Sequence, residues 1–223
     1  MTRPRHLLIV FLTALGTASP LAAQVTPQVA IPSLAPDMAL RPFFLVTEQR
    51  FAAPQTFDAV FGAQVQPFLG GGAQVAFSNG LYADVAISRF SKSGERAYLL
   101  NGESFKLGIP LKATITPVEI TGGYRFGAEW SSLVIPYVGA GLASYGYTET
   151  ADFAETGDNV NLRGSGYLVV WGAEFRLHRW VVASADVQFT RVGGILGEGG
   201  VSQQAGEDNL GGVAARFRVM IGR

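Results

Sequence analysis

Gly166-Tyr-Leu-Val-Val-Trp-Gly-Ala-Glu-Phe-Arg-Leu177, His178-Arg-Trp180 and Val181-Val-Ala-Ser-Ala-Asp-Val-Gln-Phe-Thr190 form two arms about a turn. Odd positions carry Tyr167, Val169, Trp171, Ala173, Phe175 and Leu177, then Val181, Ala183, Ala185, Val187 and Phe189, with no charge among them. Even positions carry Gly172, Glu174, Arg176, Ser184, Asp186, Gln188 and Thr190, and only Leu168, Val170 and Val182 are apolar there. A period of two means strands, because successive side chains point to opposite faces. Each arm has the roughly 9–11 residues that a tilted strand needs to cross a bilayer. A three-residue loop at 178–180 pairs Leu177 with Val181 and keeps both apolar sets on one side, whereas a two-residue loop would separate them. One face therefore calls for an apolar medium and the other for small and charged neighbours.

Working outward, the 223 residues are 48% hydrophobic and 15% charged, with 28 Gly and no Cys. That is too apolar for disorder and long enough for one substantial domain. Acids and bases balance at 17 each, so no basic patch argues for nucleic acid. Lys92, Lys106 and Lys112 are the only lysines. The remaining bases are Arg, which suits charges held in fixed pairs. Without Cys there is no disulfide scaffold, thiolate metal site or lipoprotein anchor.

Arg3 and Arg5, the apolar run 7–15 and Ala22-Ala23 before Gln24 predict a signal peptide over 1–23, cleaved near Ala23. Pro27, Pro32, Pro36 and Pro42 predict an extended periplasmic linker over 24–42. A barrel domain is expected over 43–223. It holds eight strand-like runs at 43–51, 64–77, 81–89, 114–126, 133–148, 166–177, 181–190 and 209–221. Connections after the second, fourth and sixth runs are short, including a turn at 128–131, and the others are long. The section 90–110 is expected to hold a small extra hairpin, 149–160 an acidic loop and 193–207 a Gly-rich loop. Alternating short turns and long loops is the layout of an outer-membrane barrel. Spanning sheets must close because hydrocarbon does not solvate free backbone groups. The fold expected is thus all-β, an eight-stranded antiparallel up-and-down transmembrane β-barrel.

Eight strands leave an interior just wide enough for side chains to fill. The polar parity set predicts Glu48, Asp84, Glu119, Glu174 and Asp186 inside, against Arg50, Arg125, Arg176, Arg216 and Arg218. Five against five gives a neutral lumen, as burial requires when an unpaired charge costs several kcal/mol. Gly72, Gly123, Gly172 and Gly212 are expected to make room for the Arg side chains. Gly172 should lie opposite Asp186, which then turns to Arg216 or Arg218 on the last strand. Tyr82, Tyr124, Tyr145, Tyr147 and Trp180 near strand ends are candidates for interfacial girdles.

The run Ile135-Pro-Tyr-Val-Gly-Ala-Gly-Leu142 resembles the small outer-membrane barrels, namely the outer-membrane protein A transmembrane domain and the outer-membrane protein W group. With the expected signal peptide and layout, the likeness covers about residues 43–222. It implies a structural anchor, a small channel or porin for ions or small hydrophobic solutes, or an adhesin or phage receptor acting through loops 93–110, 149–160 and 193–207. It also implies outer-membrane lipid, lipopolysaccharide and the barrel-assembly machinery as partners, in the envelope of a Gram-negative cell, for a monomer. Such chains commonly end in an aromatic residue, whereas this one ends Phe217-Arg-Val-Met-Ile-Gly-Arg223.

Catalysis is not expected. Barrels of this kind that act as enzymes use a His–Ser or His–Asp site at the outer rim, and after the expected signal peptide the only histidine is His178, at a short turn. Glu174, Arg176 and Asp186 read as lumen-filling ion pairs rather than an acid–base cluster. No helix N-terminus is expected after the glycines at 193–200, so they read as a loop rather than a phosphate cradle. The acidic loops read as solvated charge, so neither a cofactor nor a metal is called for. A detergent-binding apolar interior conflicts with the charged lumen.

Overall fold

The computed structural model describes residues 38–100, 103–127, 133–151 and 160–222. Its strands are β1 (Met38–Phe51), β2 (Val65–Phe77), β3 (Leu81–Leu100), β4 (Glu103–Arg125), β5 (Val134–Ala151), β6 (Val160–His178), β7 (Val181–Val192) and β8 (Gly212–Ile221). Each pairs antiparallel with the next, and β1 also pairs with β8, so the sheet closes into an eight-stranded up-and-down barrel. Along the height that all eight strands share, closure leaves no free sheet edge among the described residues. Two helices lie at the long-loop end, α1 (Pro54–Phe61) and α2 (Gly200–Ala205).

Alternation sorts the wall into two faces. Leu40, Leu69, Ile120, Leu142, Trp171 and Phe217 are among the outward residues, each about half exposed or more. Large apolar side chains recur on the outward face of every strand, where a soluble monomer would scatter them singly. This pattern matches the outer band of a barrel set in lipid.

The wall is uneven in height. β2 and β3 pair only as far as Leu69 and Arg89, while β3 and β4 stay paired up to Leu100 and Glu103. The expected extra hairpin at 90–110 is thus the continuation of the third and fourth strands themselves. Helices α1 and α2 sit in the mouth beside this taller side. Gly94 leaves a notch there, since a Cβ at that position would stand 2.5 Å from the Val60 carbonyl oxygen and 2.8 Å from the Phe61 ring.

Helix α1 forms for local and remote reasons. Pro54 occupies the first turn, where its missing N–H costs nothing, and Gly62 closes the other end with φ of 69°. No side chain of its own caps its N-terminus. Glu207 does so instead, accepting from the Gln55 and Thr56 amides at 2.9 Å each and from Thr56 Oγ1 at 2.6 Å. At the opposite end Lys92 Nζ donates to the Phe61 carbonyl at 3.2 Å. An anion at the N-terminus and a cation at the C-terminus both oppose the helix dipole.

Several boundaries differ from expectation. β1 starts at Met38, so 38–42 of the expected linker are strand, paired with β2 from Met38↔Phe77 onward. Pairing with β8 begins only at Phe43, past Pro42, which has no N–H to donate. The turn after β6 has two residues, Arg179 and Trp180, not three. A bulge between Arg176 and His178 supplies the extra residue and preserves the parity. The section 193–207 contains α2 as well as loop, so a short helix does follow the glycines, against expectation, with Gly199 at its N-cap. The expected signal peptide, the linker as far as residue 37, the turn at 128–132 and most of the acidic loop (152–159) lie outside the described residues.

Candidate functional site in the barrel lumen

The lower layer of the lumen, toward the short turns, is built on Glu174. Its Oε2 accepts from Arg41 Nη1 at 3.3 Å and from Arg125 Nε at 3.2 Å. Arg176 is half-buried on the same side of β6.

Asp186 is the hub of the middle layer. Its Oδ1 accepts from Arg216 Nε at 2.6 Å, and its Oδ2 from Arg218 Nη2 at 3.0 Å and from the Tyr137 hydroxyl. Arg218 Nη1 reaches Asp84 at 3.0 Å, and its guanidinium lies 5.4 Å and 5.5 Å from the Phe43 and Tyr137 ring centres. The register does put Gly172 opposite Asp186, and Asp186 turns to both arginines of β8.

Glu119 joins the layer above. It accepts from Arg216 Nη1 at 3.2 Å, Gln188 Nε2 at 2.8 Å and the Tyr145 hydroxyl at 3.4 Å. Glu119, Glu174 and Asp186 are thus each shared by two or more donors. Arg216 and Arg218 each bridge two acids. The middle and upper charged layers therefore form one connected lattice.

Two of the ten residues expected in this network lie elsewhere. Glu48 and Arg50 face outward near the loop end of β1, where Arg50 Nη2 contacts Gln64 at 3.4 Å. The cause is register. Thr47 pairs with Arg216 and Leu45 with Arg218, and residues directly opposite each other share a face. The inward set of β1 is therefore the odd one, and it brings in Arg41, which falls within the linker expected from the sequence. Asp84, Glu119, Arg125, Glu174, Asp186, Arg216 and Arg218 are buried in the lumen, with Arg176 half-buried beside them. With Arg41 the fully buried charges are four acids and four arginines among the described residues, so neutrality is kept with different members.

Of the four expected glycines, Gly72 and Gly123 make room for aromatic rings rather than arginines, while Gly172 stands against Asp186 and Gly212 against the Arg50 backbone. A Cβ on Gly72 would stand 2.7 Å from the Phe43 ring, and one on Gly123 would stand 2.6 Å from Tyr82. Tyr82 and Tyr145, expected at the interfaces, are buried inside, and Tyr147 is half-buried, while Tyr124 is exposed on the wall and Trp180 in the turn after β6.

Above the charged layers the lumen turns apolar, against the expectation of a charged interior throughout. Phe51, Phe57, Phe68, Phe90, Ile115 and Leu210 pack there with Tyr145, Leu168 and Ile195. Phe51 and Phe57 stack with ring centres 3.6 Å apart, which fixes α1 over the end of β1. Polar lattice below and aromatic stopper above together fill the barrel.

This combination of closed wall, apolar exterior and internally neutralised lumen defines the class: a small eight-stranded barrel of the outer-membrane type. No protein-family model matches the chain, and no curated protein does. Among solved structures it is similar to the N-terminal β-barrel domain of Pseudomonas aeruginosa OprF, at 12% identity and a TM-score of 0.46 over 82% of this chain and 97% of that one. It is also similar to a major outer membrane protein from Thermus thermophilus, at 9% identity and a TM-score of 0.47 over 82% and 98%. Neisserial surface protein A matches at 13% identity and a TM-score of 0.44 over 83% and 94%.

Proposed function

We propose that the protein is a structural, surface-exposed component of a Gram-negative outer membrane, exported with cleavage near Ala23, and that it holds its lumen shut. The observation that supports this most is the double filling of the barrel. An ion-paired lattice around Asp186 lies under an aromatic stopper anchored by Phe51 and Phe57. An ion entering that lattice would have to displace charge-assisted hydrogen bonds that are worth more than neutral ones. The small-channel reading is correspondingly disfavoured.

The partners in this reading are outer-membrane lipid and lipopolysaccharide around the apolar wall, and the barrel-assembly machinery during insertion, for a monomer. In this reading the protein is not an enzyme. His178 is exposed at a short turn, and the buried carboxylates are held by arginines.

Planar-bilayer recording on the refolded protein tests the proposal. A quiet baseline is expected from the wild type. Reproducible stepwise openings in the wild type would overturn the closed reading.

A further inference from the structure

Charge is handled differently on the two faces of the wall. Inside, every fully buried acid is held by arginine among the described residues. Outside, the apolar run of several strands gives way to cations at the long-loop end. β1 passes from Val46 to Glu48 and Arg50, β3 from Ile87 to Arg89, and β7 from Phe189 to Arg191. β4 and β6 carry Lys112 and Arg163 on the same outward faces, beyond Val118 and Tyr167. All five cations are exposed. Among the described residues, Arg89, Lys112, Arg163 and Arg191 have no side-chain hydrogen bond or ion pair, and Arg50 has only Gln64 at 3.4 Å. The same faces carry Glu48 and Glu95 as acids, and Glu95 is already taken by Lys106 at 3.6 Å.

The short-turn end is different. There the outward faces close on Phe77, Leu81, Tyr124, Leu177 and Ile221, with no Lys or Arg among them. Apolar and aromatic side chains of this kind suit a lipid–water boundary without calling for charge. At the long-loop boundary, by contrast, each unpaired cation near an anionic lipid surface contributes roughly fivefold in affinity. Cations spread over five strands call for several phosphates rather than one. The outward positions among them carry hydroxyls, Ser91, Ser93, Thr148 and Ser165, all exposed, and such donors suit a sugar. One arc is compact. Arg50 aligns through Val213 of β8 with Phe189 of β7, two residues before Arg191. The strands bearing the two arginines are about 10 Å apart, so one phosphorylated headgroup can meet both.

We propose that this rim is a phosphate-binding collar for a glycolipid of the outer leaflet that carries more than one phosphate. Arg50, Arg89, Lys112, Arg163 and Arg191 meet the headgroup, and the acyl chains lie on the apolar band beneath. This rests on the reading of the wall as set in an outer membrane, and it names the residues and the headgroup chemistry at one edge of that wall.

The test refolds the full-length protein in dodecyl maltoside and counts bound lipid by native mass spectrometry. The probes are lipid A with two phosphates, its one-phosphate form and phosphatidylglycerol. The two-phosphate form is expected to bind most tightly. Arg50→Gln with Arg191→Gln should weaken it about twentyfold, at roughly fivefold per cation, and Arg89→Gln with Lys112→Gln gives a second reading from β3 and β4. Arg179→Gln, an equal loss of charge per residue in the turn after β6, should leave it unchanged. An unaltered urea midpoint shows that each variant is folded. Equal binding of phosphatidylglycerol would assign the rim to phospholipid and overturn the proposal. So would a loss in Arg179→Gln as large as that per residue in the collar variants, since net charge alone would then account for the binding. Insertion into phosphatidylcholine vesicles, followed through Trp171, is measured separately. Insertion without a lipid A preference overturns the collar alone, and failure to insert overturns the membrane reading and the collar with it.

Discussion

Replacing Asp186 by Ala should be among the most damaging single changes in the wall. The carboxylate is fully buried and satisfies three donors, Arg216 Nε at 2.6 Å, Arg218 Nη2 at 3.0 Å and the Tyr137 hydroxyl. Its loss leaves two buried guanidiniums short of a counter-charge. Arg216 retains Glu119 at 3.2 Å and Arg218 retains Asp84 at 3.0 Å, so each cation keeps one partner. Breaking a buried pair costs about 3–5 kcal/mol, and the retained partners place this case at about 3 kcal/mol, the lower end of that range. Urea unfolding of the refolded protein in lipid vesicles reads it out through Trp171 on the outer wall and Trp180 in the turn after β6, both exposed. Arg216→Met in the same chain removes one of the two under-compensated cations. The double variant should then be more stable than the sum of the two single losses by about 1.5 kcal/mol or more, since sites in one network couple by 0.5–3 kcal/mol. A loss below about 1 kcal/mol for Asp186→Ala, the size of an ordinary surface hydrogen bond, or strict additivity in the pair, would refute the lattice as described.

Glu207→Ala removes the side-chain cap on the N-terminus of α1 and should cost about 1–2 kcal/mol; faster amide exchange at residues 55–57 is the sensitive readout. Gly94→Val fills the notch against Val60 and Phe61 and should displace α1, with a loss of about 1–3 kcal/mol from overpacking, measured by the same unfolding assay. Gly139→Ala puts a methyl 2.3 Å from the Tyr82 hydroxyl and should cost a similar 1–3 kcal/mol, whereas Ala140→Gly on the outward side of the same strand should cost under about 1 kcal/mol; equal effects would contradict the inward aromatic layer.

The hairpin 166–190 was legible because its two faces differ in charge over both arms, so parity alone orients it. β1 was not. Its inward face carries Phe43, Leu45 and Phe51, because apolar clusters occupy the lumen beside the charged lattice as well as above it. Hydrophobicity then no longer separates lipid from lumen, and only the register to Arg216 and Arg218 does. Arg41 was lost for a related reason, as a charged residue between Pro36 and Pro42. Helix α1 left local signs that were available to be read, with Pro54 at its start, Gly62 at its end and Phe57 and Phe61 one turn apart. Its remote cap was not available, since Glu207 lies 151 residues from Thr56 in the chain and only closure of the barrel brings the two together. The turn at 179–180 shows a compensated miss, in which a bulge restored the parity that a three-residue loop would have given.

The most direct test of the whole account places single cysteines along β8, in a chain that has none of its own, and attaches a nitroxide to each in lipid vesicles. Val213, Ala215 and Phe217 point outward, and Ala214 points into the lattice. Collisions with oxygen should be frequent at 213, 215 and 217, collisions with a water-soluble nickel chelate rare there, and both rare at 214. Ready access of the nickel chelate to 213, 215 and 217 would contradict a lipid-facing wall, and access to 214 would contradict a closed lumen.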